Sequence, residues 1–253
     1  MQITFLGTGT SAGVPVIGCT CAVCCSTDER NKRLRTAALL HARGKNILID
    51  VGPDFRTQAL RHPIRHLDAV VITHSHFDHI GGLDDLRPIT DHHGPIPIYG
   101  SPKTLDSIRQ RFSYAFSTDS EGSSRPQLEL CPVNGSFQAA GVPMTPFDVM
   151  HGTWTITGYR VGRLGYVTDA SALPPATRNL LGDLDVLVLN ALRYKPHPTH
   201  FTLDEALDVI ADLRPRRAFL VHTTHAFDYT ATNATLPDGV ALAYDGLTVT
   251  VAE

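Results

Sequence analysis

The chain has 253 residues, enough for one large domain or two small ones, and long enough to bury a real core. Hydrophobic residues make up 42%, charged residues 19%, and mean hydropathy is -0.05. No stretch approaches the roughly 18 consecutive apolar residues of a membrane span, so disordered, fibrous and membrane-spanning classes are excluded. A net charge of -3, from 22 basic and 25 acidic side chains, gives no overall basic field for nucleic acid.

Residues 2–6 read as a strand stopped by the small residues of GTGTSAG. Strands follow at 36–42 and 45–51, joined by a tight turn at Arg43-Gly44. A short helix is predicted at 54–61, a buried strand at 68–73, and helices at 80–87 and 102–112, the last opened by a Ser101 cap and Pro102. Residues 113–126 lack periodicity and are expected to be an exposed loop. Strands are then expected at 127–133, 142–150, 154–161 and 163–168, a helix at 174–181 and a buried strand at 184–190. The clearest amphipathic helix spans 202–213, where Thr202 and Glu205 form a capping box. A strand at 216–221 and a terminal strand pair near 240–251 complete a chain without linkers or repeats. Strands and helices mixed without strict alternation predict two sheets flanked by helices in one domain.

Four of five cysteines, Cys19, Cys21, Cys24 and Cys25, fall within seven residues, and Cys131 stands alone. An odd number gives no disulfide framework, whereas closely spaced thiolates suit one metal ion, and a reducing, cytoplasmic compartment is expected. The segment VIGC ending at Cys19 faintly resembles a lipoprotein cleavage box. The residues before it contain no Lys or Arg and are broken by glycines and Pro15, which argues against a signal peptide.

Directly after strand 68–73, the run THSHFDHIGG supplies His74, His76, Asp78 and His79 within six residues. Imidazole and carboxylate at this density suit zinc, manganese or iron. An extended backbone points His74 and His76 to one side, where a single ion takes both; Asp78 and His79 lie past the bend, placed for a second.

This run is the H-x-H-x-D-H signature of the metallo-β-lactamase superfamily, and the resemblance extends over the whole chain, residues 1–253. It implies an α/β fold, the αββα sandwich, as a single domain. By that resemblance His74, His76 and His151 hold one ion, Asp78, His79 and His222 the other, and Asp169 bridges them, with Asp50 orienting the loop from behind. The closer resemblance is to the phosphoribosyl cyclic phosphodiesterase branch, through three features. GVPVIGCTCAVC implies a structural zinc on Cys19, Cys21, Cys24 and His225 in a loop near 18–26, with Cys25 outside the pattern. HPTHFTLDEAL places His200, in preference to His197, where the branch carries a histidine assisting departure of the leaving oxygen. LGTGTSAGVP resembles the branch's first loop and lacks the Gly-Lys-Ser/Thr ending of a nucleotide-binding loop.

The implied activity is hydrolysis of a small sugar-phosphate or nucleotide diester, cyclic ones included, with Asp78, Asp169 and His200 as catalytic residues. Two divalent ions about 3.5–4 Å apart would lower the pKa of bound water for attack on phosphorus. The same chemistry would serve an acyl hydrolase on a lactone or thioester, and a non-hydrolytic cofactor-biosynthesis member shares the scaffold. No glycine- and proline-rich arm for transfer RNA is present. The clump Arg30, Lys32, Arg33, Arg35 reads as a solvated loop in preference to a phosphate-facing patch. No membrane or nucleic-acid partner is expected; related proteins are often dimers, which makes a homodimer the expected assembly.

Overall fold

The computed structural model describes residues 1–117 and 124–252. The first half carries strands β1 (Gln2–Gly7), β2 (Ala37–Ala42), β3 (Lys45–Ile49), β4 (Ala69–Val71), β5 (Ile96–Gly100) and β6 (Leu128–Pro132). The second half carries β7 (Phe137–Ala139), β8 (Val142–His151), β9 (Trp154–Val161), β10 (Leu164–Tyr166), β11 (Val186–Asn190), β12 (Arg217–Val221), β13 (Val240–Leu242) and β14 (Thr248–Thr250). One sheet runs β14-β1-β2-β3-β4-β5-β6 and the other β13-β12-β11-β10-β9-β8-β7.

Two-residue alternation decides which face each side chain takes. Ile3 and Phe5 of β1, with Ile47 and Ile49 of β3, meet Tyr159, Tyr166 and Val188 in a core between the sheets. Leu6 and Leu48 turn the other way, into a second core shared with helices α1 (Phe55–Arg61), α2 (Phe77–Ile80), α3 (Arg87–His93) and α4 (Pro102–Arg111). Beyond these lie the short helix α5 (Ser113–Phe116), α6 (Pro175–Leu180), α7 (Leu203–Leu213) and α8 (Tyr229–Asn233). Leu203, Ala206, Val209 and Ile210 of α7 fill a third core against Leu187 and Leu189. The layers are therefore helix, sheet, sheet, helix, the metallo-β-lactamase fold. Among the described residues no helix is long and apolar enough to cross a membrane.

Several expectations need correction. Helix 80–87 is replaced by α2, a 3-10 turn at Leu83–Leu86 and α3, because Gly81-Gly82 interrupts the run and Pro88 starts the next helix. The terminal strands do not pair with each other: β13 lies parallel to β12, while β14 lies antiparallel to β1 in the opposite sheet. Strand β5 has no counterpart among the elements expected from sequence. Of the expected loop 113–126, residues 113–116 form α5, and 118–123 lie outside the described residues. Both predicted caps are present, Ser101 accepting from the Thr104 amide at 3.2 Å and Thr202 pairing reciprocally with Glu205.

What positions the site is the parallel run in each sheet. Strands β3 and β4, and β10, β11 and β12, all end at one edge of the sandwich, where open α/β sheets place their ligands. Asp50, His74, Asp169 and His222 follow these ends within a few residues.

Candidate metal centre

His74, His76 and His151 bring one ring nitrogen each to within 4.8 Å of one another. His74 Nε2 and His76 Nδ1 lie 3.0 Å apart, and His151 arrives from the end of β8. His151 Nδ1 donates to the carbonyls of Asp169 (2.7 Å) and Thr199 (2.9 Å), which fixes the tautomer and frees Nε2 for the pocket. Burial pushes His74 well below its ordinary value and His76 below it too, so both favour the neutral, ligating form.

Asp78, His79, Asp169 and His222 form a second group with the same convergence. His79 Nε2 lies 3.3 Å from Asp78 Oδ2 and 3.3 Å from Asp169 Oδ2, and His222 Nε2 lies 3.4 and 3.2 Å from oxygens of the same two carboxylates. Burial alone would raise both carboxyls. The facing histidines outweigh it and hold Asp78 and Asp169 below the usual carboxylate range. Burial likewise opposes the His79 cation, yet Asp169, Asp50 and Asp78 hold its pKa well above the ordinary value. His79 Nε2 is sealed from solvent and makes no hydrogen bond despite its two carboxylate neighbours. Buried acids, imidazoles and an orphaned ring nitrogen aimed at one point suit a divalent cation.

Asp169 also converges with His151 and His200. Its Oδ2 accepts from Thr168 Oγ1 at 2.6 Å, and its Oδ1 accepts from His200 Nε2 at 3.1 Å. His200 stacks on His222 with centroids 5.1 Å apart and meets the His151 ring edge-on at 4.7 Å. His200 thus also converges with His151 and Asp169, within reach of either pocket. His197 stands behind it, Nδ1 to Nδ1 at 3.2 Å. Gly52 lets the metal loop close on Asp50: a Cβ there would sit 2.1 Å from the Asp78 carbonyl.

A separate group joins Cys19, Cys21, Cys24 and His225. His225 Nδ1 lies 3.2, 3.5 and 3.3 Å from the three sulfurs. The Cys24 amide donates to Cys21 Sγ at 3.4 Å and brings that thiol down to about 6, while burial pushes Cys24 up to about 11. Three sulfurs and one imidazole around a point are the donor set of a closed, tetrahedral zinc. Cys25 is exposed and outside the group.

All the site residues expected from sequence therefore fall into these three groups or beside them. The basic clump does not behave as one unit: Arg30 pairs with Asp28, Arg35 with Asp54, and Arg33 is buried. Sequence reasoning missed Trp154. Its ring packs against His76 (4.9 Å), His74 (5.7 Å) and His151 (6.4 Å), walling the first pocket, with Lys103 over its face at 5.1 Å. Its one signal is position, three residues past His151.

Two neighbouring groups of histidine and carboxylate side chains, on the open edge of an αββα sandwich, define a candidate metal centre of the metallo-β-lactamase fold. A beta-lactamase superfamily domain matches residues 45–223, and the chain belongs to that superfamily. Cys19, Cys21, Cys24 and His225 all fall outside the matched span. An octanoyltransferase of Porphyromonas gingivalis (strain ATCC BAA-308 / W83) is 41% identical over 258 residues, covering 100% of this chain and 52% of that protein. The chain thus spans about half the length of that relative. A crystal structure of a new diphosphatase from the PhnP family shares 42% identity and a TM-score of 0.92 over 98% of this chain and 97% of that one. Zinc-bound PqqB from Methylobacterium extorquens shares the fold, at a TM-score of 0.79 and 20% identity over 99% and 100% of the chains.

Proposed function

We propose that the protein is a metal-dependent phosphodiesterase acting on a small sugar-phosphate or nucleotide ester. In this reading His74, His76 and His151 hold one divalent ion, Asp78, His79 and His222 a second, and Asp169 lies between them. The Cys19, Cys21, Cys24 and His225 group holds a structural zinc. The active-site ions, zinc, manganese or iron, would supply an acidified water and offset negative charge on phosphoryl oxygens.

One observation carries the reading: His200 hangs over both pockets, 3.1 Å from Asp169, with a ring nitrogen able to give up a proton. Burial lowers its pKa and the Asp169 hydrogen bond opposes that, so arrival of an anionic phosphodiester favours the charged form. From there His200 can protonate a departing alkoxide, a contribution worth ~10²–10⁴-fold. The Asp169 hydrogen bond orients His200 Nε2 until that proton passes to the leaving oxygen, while Nδ1 stays on Thr199 and His197. Likeness to a diphosphatase at 42% identity supports phosphoester chemistry over the acyl alternative. Octanoyl transfer is said of a protein about twice this length, so acyl chemistry enters as a competing outcome.

The test is turnover by metal-defined protein of a ribose cyclic phosphate, bis(p-nitrophenyl) phosphate, lactones and thioesters, beside Asp169→Ala. The expected result is phosphodiester turnover that Asp169→Ala largely abolishes. Lactone or thioester turnover far above that of every phosphodiester would replace this reading with the acyl one.

A further inference from the structure

Arg33 is 1% exposed, an unusual depth for a guanidinium in a loop. All five of its N–H groups find acceptors. Nε reaches the Arg30 carbonyl (3.4 Å), and Nη1 reaches the Thr223 hydroxyl (3.2 Å) and the Thr224 carbonyl (2.9 Å). Nη2 reaches Asn31 Oδ1 (2.9 Å) and the Phe227 carbonyl (2.6 Å). Three of these acceptors lie in the turn 223–227, immediately after His222.

The loop 8–14, packed on the Arg33 backbone, holds the same turn from the other side. Arg33 and Val14 exchange amide hydrogen bonds at 2.7 and 2.8 Å, and Gly9 packs so closely that a Cβ would sit 2.7 Å from the Arg33 carbonyl. Thr223 donates to Thr8 and accepts from Thr10. His222 sits at φ 55, a left-handed backbone that is costly for a histidine and persists where the surroundings over-determine it.

We propose that Arg33 is a positioning residue for the pocket of Asp78, His79, Asp169 and His222, clamping the 223–227 turn so that the His222 imidazole stays aimed at that pocket. The inference rests on reading His222 as a metal ligand. A planar fork of five donors spans the turn's three acceptors, which the three donors of a lysine ammonium on one atom do not.

The experiment measures zinc stoichiometry and the affinity of each equivalent, by competition with a chromophoric chelator, in the 253-residue wild type, His222→Ala, Arg33→Lys, Thr223→Val and Cys21→Ser. Melting temperature is read in parallel. The equivalent weakened in His222→Ala identifies the pocket. Arg33→Lys and Thr223→Val are expected to weaken that same equivalent about tenfold, within the range typical of groups behind a ligand, and to leave the equivalent on His74, His76 and His151 unchanged. The thiolate equivalent, whose His225 lies in the same turn, is told apart by its loss in Cys21→Ser. Should Arg33→Lys fail to fold, Thr223→Val, which removes the hydroxyl that accepts from Arg33 and donates to the Thr8 carbonyl and keeps the shape, decides alone. Lowered melting temperature with unchanged affinity for that equivalent would overturn the proposal. His222→Ala without any effect on zinc would instead overturn the ligand reading beneath it.

Discussion

His79 Nδ1 donates to Asp50 Oδ2 at 2.7 Å, and both side chains are sealed from solvent. Asp50 is itself pinned, accepting from the Thr73 amide and hydroxyl at 2.8 Å each. The pair turns His79 Nε2 toward Asp78 and Asp169 and makes the ring a stronger donor to a cation. Replacing Asp50 with alanine should therefore weaken metal binding at the second pocket about 10- to 100-fold. Chelator competition on Asp50→Ala checks this; wild-type affinity would show that the His79 orientation does not depend on Asp50.

For His200 the informative quantity is a ratio. Help to a leaving group matters most when that group is poor, so His200→Ala should slow an alkyl-leaving phosphodiester far more than a p-nitrophenyl ester. Metal content should be unchanged. Equal losses on both substrates would leave His200 only a substrate-positioning role, and loss of an ion would move it among the ligands, where His151 and Asp169 already converge with it.

The thiolate group should govern stability more than chemistry. Cys21→Ser is expected to remove about one equivalent of zinc and to lower the melting temperature, since a structural ion's binding energy is part of folding. Metal analysis and a thermal melt read both. An unchanged melt with one zinc missing would mean that the Cys19–Cys24 loop does not staple the fold.

Asp245 gives a pH dependence with a definite sign. Burial raises its carboxyl to about 7, overcoming hydrogen bonds from the Leu34 amide (2.7 Å) and Thr8 hydroxyl (2.8 Å). A carboxyl raised on folding from about 4 binds its proton more tightly in the native state. Its contribution is fully present below about pH 4 and is lost as pH rises toward 7. Asp245→Asn should flatten that window. Melting temperatures of metal-free wild type and variant between pH 4.5 and 8 test it, and parallel curves would rule the group out.

How much was legible before the fold was known depends on how local the signal is. His74, His76, Asp78 and His79 stand in one run, so their density is visible in the chain itself. Asp50, His151, Asp169 and His222 are each ordinary residues at strand ends, and only family resemblance groups them. Arg33 was misjudged because irregular loops carry no periodicity from which depth can be read. Strand β5 carries a weak strand signal because Pro95 precedes it and Pro97 lies within it, where Pro97 stands opposite Glu129 of β6. The short strands β13 and β14 look alike in sequence, and the sheet that each joins is settled by packing far along the chain.

The division of ligands between the two halves of the chain bears on when metal can be captured. Asp78 and His222 meet across 144 positions, and Cys19 meets His225 across 206. Neither sheet alone presents a finished group, so, with these residues read as ligands, a nascent chain would have no complete cage until the segment carrying His222 and His225 has been synthesised and docked. On that reading metal acquisition would follow the docking of the two halves, and each ion bound would then add a cross-link between them.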